Sequence, residues 1–289
     1  MSGLPIPCNL HAAAVSEGRD DWFVGLPEVV RSVSERWRLT VGPPYEPGGQ
    51  TAWVAPASSP EDGAVVLKLL WRHPEATHEA DGLRAWNGDG AVRLCAAADF
   101  DDTLALLIER CIPGTPLTSR PEPEQDEIIA GLLRRLWRVA PNDTVQSLQT
   151  MCDRWAGRFE AKAAARPGGL DPGLAREGAA LFRALPAGAD RAVLLCTDLH
   201  AGNVLAAQRE PWLAIDPKPH VGDPTYDALQ HLLNCAGRLH ADPRRLARRL
   251  AELLGLDAER LQLWLFARCV VESVDYPELG GVARRLAPS

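Results

Sequence analysis

From Trp37 to Arg110 the apolar residues fall in short runs separated by turn residues; from Ile128 onward they recur at three- and four-residue spacing. This change of period divides the chain. In the first stretch Trp37–Val41, Thr51–Ala55, Ala64–Leu70, Ala91–Ala97 and Leu104–Arg110 predict five strands, with Gly42-Pro43-Pro44 and Pro60-Glu61-Asp62-Gly63 as breaks. Pro74–Trp86 predicts a helix inserted after the third strand. Ahead of them, residues 1–35 carry Pro5, Pro7 and a helical pattern near Asp20–Val33, to which no function is assigned. Cys111-Ile112-Pro113-Gly114-Thr115-Pro116 then interrupts the pattern as a hinge does. Beyond it, Ile128, Ile129, Leu132, Leu133, Leu136 and Trp137 make one helical stripe, and Leu148, Met151, Cys152, Trp155 and Phe159 another; both read as core. Further helices are predicted at Leu174–Leu185, Tyr226–Leu239, Pro243–Leu254 and Ala258–Val274. The expected organisation is α+β: an N-terminal segment 1–35, a small five-stranded antiparallel lobe 36–111 and a mainly helical lobe 112–289.

Two short apolar runs interrupt the helical part, and acids follow both. Ala192-Val193-Leu194-Leu195 leads into Cys196-Thr197-Asp198-Leu199-His200-Ala201-Gly202-Asn203. Trp212-Leu213-Ala214-Ile215 leads into Asp216, thirteen residues after Asn203. The result is an acid, an amide five residues on, and a second acid. Phosphoryl transfer from a nucleotide needs this set: one carboxylate orients the attacking hydroxyl and takes its proton, while an amide oxygen and another carboxylate hold Mg²⁺ against the phosphates. Asp198 is the candidate for the first role, Asn203 and Asp216 for the second. An isolated Asp-x-His loop is also compatible with another kind of metal site or a plain tight turn.

Two features of the strand region bear on nucleotide binding. Glu46-Pro47-Gly48-Gly49-Gln50-Thr51 joins the first two predicted strands, and Gly48, Gly49 and Gln50 would let backbone N–H groups approach phosphate oxygens. It is neither a Walker loop nor Gly-x-Gly-x-x-Gly, and an ordinary hairpin turn reads the same way. Lys68 lies inside Val65-Val66-Leu67-Lys68-Leu69-Leu70, a strand without polar alternation, where a cation needs an anionic partner. Phosphate oxygens and Glu79, eleven residues on, provide one; Glu75, one turn earlier, is the alternative acid.

Asp198-Leu199-His200-Ala201-Gly202-Asn203-Val204-Leu205, Ile215-Asp216-Pro217-Lys218 and Gly222-Asp223-Pro224-Thr225-Tyr226-Asp227-Ala228-Leu229 together resemble the aminoglycoside phosphotransferase family. The Asp-Pro-Lys form after Trp-Leu-Ala-Ile is most similar to its streptomycin 6-phosphotransferase and hydroxyurea-kinase branch. The resemblance implies a two-lobed protein-kinase-like fold with the nucleotide between the lobes, ATP and Mg as cofactors, and phosphorylation of streptomycin at its 6-hydroxyl. Other small hydroxylated metabolites (choline, homoserine, hydroxyurea) and a non-catalytic ligand-binding module are the alternatives. By family position Glu109, Arg110, Cys111 and Ile112 offer backbone groups to the base, His200 is a structural hydrogen-bonding residue, and Asp227 braces the catalytic loop. Lys218 either meets a phosphate or faces solvent. Against the protein-kinase pattern, Thr197 stands in place of the catalytic-loop arginine and Pro217-Lys218 in place of Phe-Gly, so activation-loop control is not expected.

Composition narrows the partners. A formal charge of −7, from 31 basic and 38 acidic residues, disfavours a nucleic-acid binder and suits capture of a polycationic small molecule. Guanidino groups of such a substrate pair well with carboxylates, and Asp153, Glu272 and Asp275, with Glu160, are the helical candidates; a solvated helix face is the usual reading of each. Of the basic residues, only Lys68, Lys162 and Lys218 are lysines, and Lys68 and Lys218 fall in motif positions. Seven cysteines without a C-x-x-C pair read as reduced thiols, and no apolar run suggests a signal peptide or membrane span. A cytoplasmic monomer is expected.

Overall fold

A computed structural model describes residues 4–74, 77–141, 143–165 and 169–288. The chain forms two compact units, Met1–Gly114 with Ala207–Pro211, and Thr115–Ala206 with Trp212–Ser289.

In the first unit, α1 (Cys8–Glu17) and α2 (Trp22–Arg36) precede β1 (Thr40–Val41), β2 (Ala52–Ser59) and β3 (Gly63–Trp71). Then come α3 (Glu79–Trp86), β4 (Leu94–Phe100) and β5 (Thr103–Glu109). The five strands form one antiparallel sheet in the order β1-β2-β3-β5-β4, as the strand pattern predicts. Alternate side chains of a strand face opposite ways. Trp53, Ala55, Ala57, Val65, Leu67, Leu69, Trp71, Ala105 and Leu107 therefore pack as one layer with Leu10, Ala14, Trp22, Leu26 and Val33 of α1 and α2. The segment before residue 36 is part of this core, which its sequence does not announce: in α1 only Leu10 and Ala14 are buried. The other parity of β3 leaves Lys68 on the opposite face.

The second unit begins with α4 (Glu122–Leu136), α5 (Leu148–Ala165) and α6 (Pro172–Ala184). Two short ladders follow from β6 (Val193–Leu195), β7 (Val204–Ala206), β8 (Trp212–Ala214) and β9 (His220–Gly222), with β6 pairing β9 and β7 pairing β8. The chain ends with α7 (Pro224–Asp227), α8 (Leu229–Asn234), α9 (Ala236–Ala241), α10 (Pro243–Leu254), α11 (Ala258–Glu272) and α12 (Leu279–Leu286). Helix α11 is the centre, packed against α6, α10 and α12 and burying Leu261, Trp264, Leu265 and Phe266. Asp171, Asp242 and Asp257 cap α6, α10 and α11 by accepting first-turn N–H groups.

Several element bounds differ from the expectation. The strand expected at Trp37–Val41 is only Thr40–Val41, because Trp37 caps α2 and Arg38 takes a left-handed φ of 53°. The single helix expected at Tyr226–Leu239 is three short ones, broken at Cys235 (φ −88°, ψ 51°). In a straight helix His231 and Arg238 would lie about 10.5 Å apart along the axis. The break brings both onto one carboxylate, Asp126, at 2.9 and 2.7 Å. Tertiary bonding there overrides a continuous apolar period.

Candidate active site

The first unit holds the expected cation. Lys68 is buried in β3, and its Nζ lies 2.7 Å from both carboxylate oxygens of Glu79. Glu79 opens α3, where the helix dipole favours a negative charge, and its side chain is 2% exposed against 7% for Lys68. A pair this buried is tolerated because each charge meets the other directly. Glu75, the alternative acid, lies outside the described residues.

The glycine stretch is held from behind by the N-terminal segment. Asn9 donates from its backbone N–H to the Pro47 carbonyl at 3.1 Å and from Nδ2 to the Gly48 carbonyl at 3.1 Å. Gly48 has φ +79°, and a Cβ there would sit 2.4 Å from Pro7 Cβ, so only glycine fits. Gly49 and Gln50 are exposed and their surface is unobstructed at Gly49. At the end of β5, Glu109 receives Arg209 Nε and Nη2 at 2.9 and 2.8 Å and the Arg93 N–H at 3.0 Å. Burial would raise its pKa, but these donors hold it below the usual carboxylate range. Arg110 and Ile112 are exposed, while burial pushes the Cys111 thiol up to about 11.

In the second unit Asn203 is bonded both to Asp198 and to the residue that precedes Asp216. Ile215 N–H donates to the Asn203 carbonyl at 2.9 Å, extending the β7–β8 ladder by one step and bringing Asp216 beside Asn203. Asn203 Nδ2 donates to the Asp198 carbonyl at 3.0 Å and reaches Asp198 Oδ2 at 3.4 Å. With Nδ2 committed to Asp198, the amide presents Oδ1 as its ligand atom. Together with the Asp216 carboxylate this is an all-oxygen donor set, which fits a hard divalent cation such as Mg²⁺. A second cluster of potential ligands, Asp126, His231 and Cys235, does not fit one. Its carboxylate already accepts from Arg238 and Arg249 at 2.7 Å, and Arg238 Nη2 lies 3.0 Å from the Cys235 sulfur.

Thr197 and Asp216 both take φ +53°, a left-handed conformation costly for a β-branched residue. Asp227, fully buried, braces the first of them. Its carboxylate accepts from the N–H groups of Cys196 and Thr197 at 3.0 and 2.6 Å and from Trp137 Nε1 at 2.8 Å. Burial pushes Asp227 up to about 6, and the three donors limit the rise. His200 Nδ1 accepts the Gly202 N–H at 3.1 Å, and burial pulls its pKa down. The Gly-Asp-Pro motif is a packing device. A Cβ at Gly222 would lie 2.5 Å from Leu148 Cβ, and Asp223 Oδ2 accepts from Trp264 Nε1 and Arg260 at 2.7 and 2.6 Å.

Lys218 faces neither solvent alone nor an undefined space: its Nζ lies 2.7 Å from Asp198 Oδ2. The spacing of motifs did not reveal this pairing; the rarity of lysine was the available signal. The carboxylates proposed for substrate already hold partners of the chain, and Asp275 lies in the turn after α11 rather than on a helix as expected. Glu272 receives Arg268 at 2.7 Å, Asp275 receives Lys162 at 2.6 Å, Glu160 receives Arg183 at 2.6 Å, and Asp153 accepts from Gln149 at 3.1 Å.

A family model described as aminoglycoside/hydroxyurea antibiotic resistance kinase matches residues 36–280. The chain is 38% identical over 268 residues to a hydroxyurea phosphotransferase of Kitasatospora aureofaciens, covering 91% of this chain and 76% of that protein. It is 34% identical over 284 residues to a streptomycin 6-kinase of Streptomyces glaucescens, covering 94% and 90%. Among solved structures, the choline kinase LicA from Streptococcus pneumoniae superposes with a TM-score of 0.60 at 12% identity, over 90% of this chain and 97% of that one. At that identity the likeness concerns the fold alone.

Proposed function

The chain belongs to the aminoglycoside/hydroxyurea antibiotic resistance kinase family, and from that premise we propose that it transfers the γ-phosphoryl group of ATP to the 6-hydroxyl of streptomycin. The observation that carries the chemistry is the hydrogen bond of Asn203 to Asp198, with Asn203 also bonded to Ile215, the residue before Asp216. The choice of acceptor rests on the near full-length similarity to a streptomycin 6-kinase.

Phosphoryl transfer has a loose transition state, so alignment and charge neutralisation contribute more than a strong base. Asp198 accepts a hydrogen bond from the acceptor hydroxyl, points its oxygen at phosphorus and takes the proton late. Asn203 Oδ1 and the Asp216 carboxylate would hold Mg²⁺, which when bound would supply charge neutralisation at the nucleotide phosphates. Lys68, fixed by Glu79, anchors nucleotide phosphates, and the backbone of Gly48, Gly49 and Gln50 covers them. Backbone groups of Glu109, Arg110, Cys111 and Ile112 receive the base. Asp153, Glu272 and Asp275 receive the guanidino groups. For Glu272 the exchange replaces the Arg268 guanidinium by a substrate guanidinium, a swap of like for like. We assign a monomer, and on the seven free thiols a reducing cytoplasmic setting.

Hydroxyurea is the second reading, favoured by the 38% identity to a hydroxyurea phosphotransferase. Steady-state kinetics with Mg-ATP at one ionic strength separate the two. Streptomycin is expected to give the higher kcat/KM, and kanamycin-type aminoglycosides, which lack the guanidino-bearing ring, a poor one. A higher kcat/KM for hydroxyurea than for streptomycin moves the assignment to the second reading; equal or better use of kanamycin removes the branch-specific acceptor.

A further inference from the structure

Lys218 places an ammonium 2.7 Å from an oxygen of the carboxylate that receives the acceptor hydroxyl. The contact is not an accident of a mobile surface side chain. The Lys218 N–H donates to the Cys196 carbonyl at 2.9 Å, and the Lys218 carbonyl accepts from Thr197 Oγ1, so its main chain is pinned to the two residues before Asp198. The side chain is one-third exposed, at 33%, while that of Asp198 is 12% exposed. The chain thus delivers a compact point charge, one of its three lysines, to the partly open side of this carboxylate.

A hydroxyl held by Asp198 lies about 2.7 Å from its oxygen, and in a reactive arrangement about 3.3 Å from the γ-phosphorus. Lys218 Nζ is therefore separated from the transferring group by one carboxylate and one hydroxyl. We propose that Lys218 is a catalytic residue whose ammonium contacts an oxygen of the γ-phosphoryl group during transfer. The proposal rests on the phosphotransfer reading above. In the step, the acceptor oxygen bonds to the γ-phosphorus while the bond from that phosphorus to the β,γ-bridging oxygen breaks. The electron pair of the broken bond leaves with ADP, and the hydroxyl proton passes to Asp198. The ammonium carries three N–H donors, so one keeps Asp198 fixed for the incoming hydroxyl while another meets a γ-phosphoryl oxygen, before transfer and during it.

The test compares Lys218→Met and Lys218→Arg with the wild type in kcat, thermal stability, and affinity for Mg-ADP and for the non-hydrolysable Mg-AMP-PNP. Lys218→Met is expected to lose at least about 100-fold in kcat, the scale of removing one charge-stabilising donor. It is expected to bind Mg-ADP within about threefold of wild type and Mg-AMP-PNP about tenfold more weakly, because only the second carries a γ-phosphoryl group. Lys218→Arg keeps the charge and restores part of both losses. Retention of more than about a tenth of kcat overturns the proposal, as does equal weakening of the two nucleotides. If Lys218→Met does not fold, Lys218→Gln is read by the same two affinities. The affinity difference needs no acceptor. A wild-type protein inert towards streptomycin therefore refutes the acceptor assignment, while the nucleotide pair still decides Lys218.

Discussion

Thr197 is a β-branched residue at φ +53°, and the strain of such a position, about 1–3 kcal/mol, has to be offset by its surroundings. Asp227 does so by accepting the Thr197 N–H at 2.6 Å, with the neighbouring Cys196 N–H and Trp137 Nε1 on the same carboxylate. In Asp227→Asn the amide turns donors toward donors. Urea denaturation is expected to show a loss of about 2 kcal/mol or more, accompanied by a fall in kcat; unchanged stability and turnover would contradict the bracing role. Asp198→Asn should lose at least about 100-fold in kcat while Mg-nucleotide affinity stays near wild type, since its partners are the hydroxyl and Lys218 rather than phosphates. A comparable loss of nucleotide affinity would reassign Asp198. The motif residues were legible because their spacing is tied to chemistry. Lys218 was not, because a contact across twenty residues leaves no periodic trace.

At the scale of elements, the two short ladders of the second unit explain why the motifs carry apolar lead-ins. Val193–Leu195 is buried throughout and Trp212–Ala214 is buried from Leu213 on, and the ends of these strands fix the loops at Asp198 and Asp216. Those runs, the five strands and α3 could be read from alternation and breaks. The N-terminal helices were harder: α1 has a weak apolar stripe, and its role is set by contacts with residues some forty positions away. That packing gives a test of the glycine stretch. Gly48→Ala forces a left-handed φ of +79° and a clash with Pro7, whereas Gly49→Ala meets open space. Gly48→Ala is expected to raise the KM for ATP at least about fivefold and to lower stability by about 1–2 kcal/mol. Gly49→Ala should leave stability unchanged. Equal ATP KM values for Gly48→Ala and wild type would separate the stretch from nucleotide binding.

At the scale of the whole molecule, stability depends on a buried charge cluster that lies apart from the acid–amide–acid set in its bonding. Asp126 of α4 accepts from His231 of α8, Arg238 of α9 and Arg249 of α10. Burial would raise its pKa, but these three donors hold it well below the usual carboxylate range. A depressed carboxylate contributes stability above its unfolded pKa of about 3.9, and that contribution is lost as pH falls toward the folded pKa. Asp126→Asn should therefore destabilise the protein by about 3 kcal/mol or more at pH 7, leaving buried cations without their anion. Urea titrations should show the gap from wild type narrowing below about pH 4; a gap independent of pH would contradict the linkage.

The transfer of a phosphoryl group to streptomycin is tested most directly by the product itself. The wild-type protein, Mg-ATP and streptomycin are incubated together, and the drug is recovered for mass and phosphorus–proton NMR measurement. The expected product is streptomycin carrying one added phosphoryl group, coupled to the proton at position 6, with one ADP formed per product molecule. Unmodified streptomycin, or a phosphate coupled to a different ring position, would contradict the account.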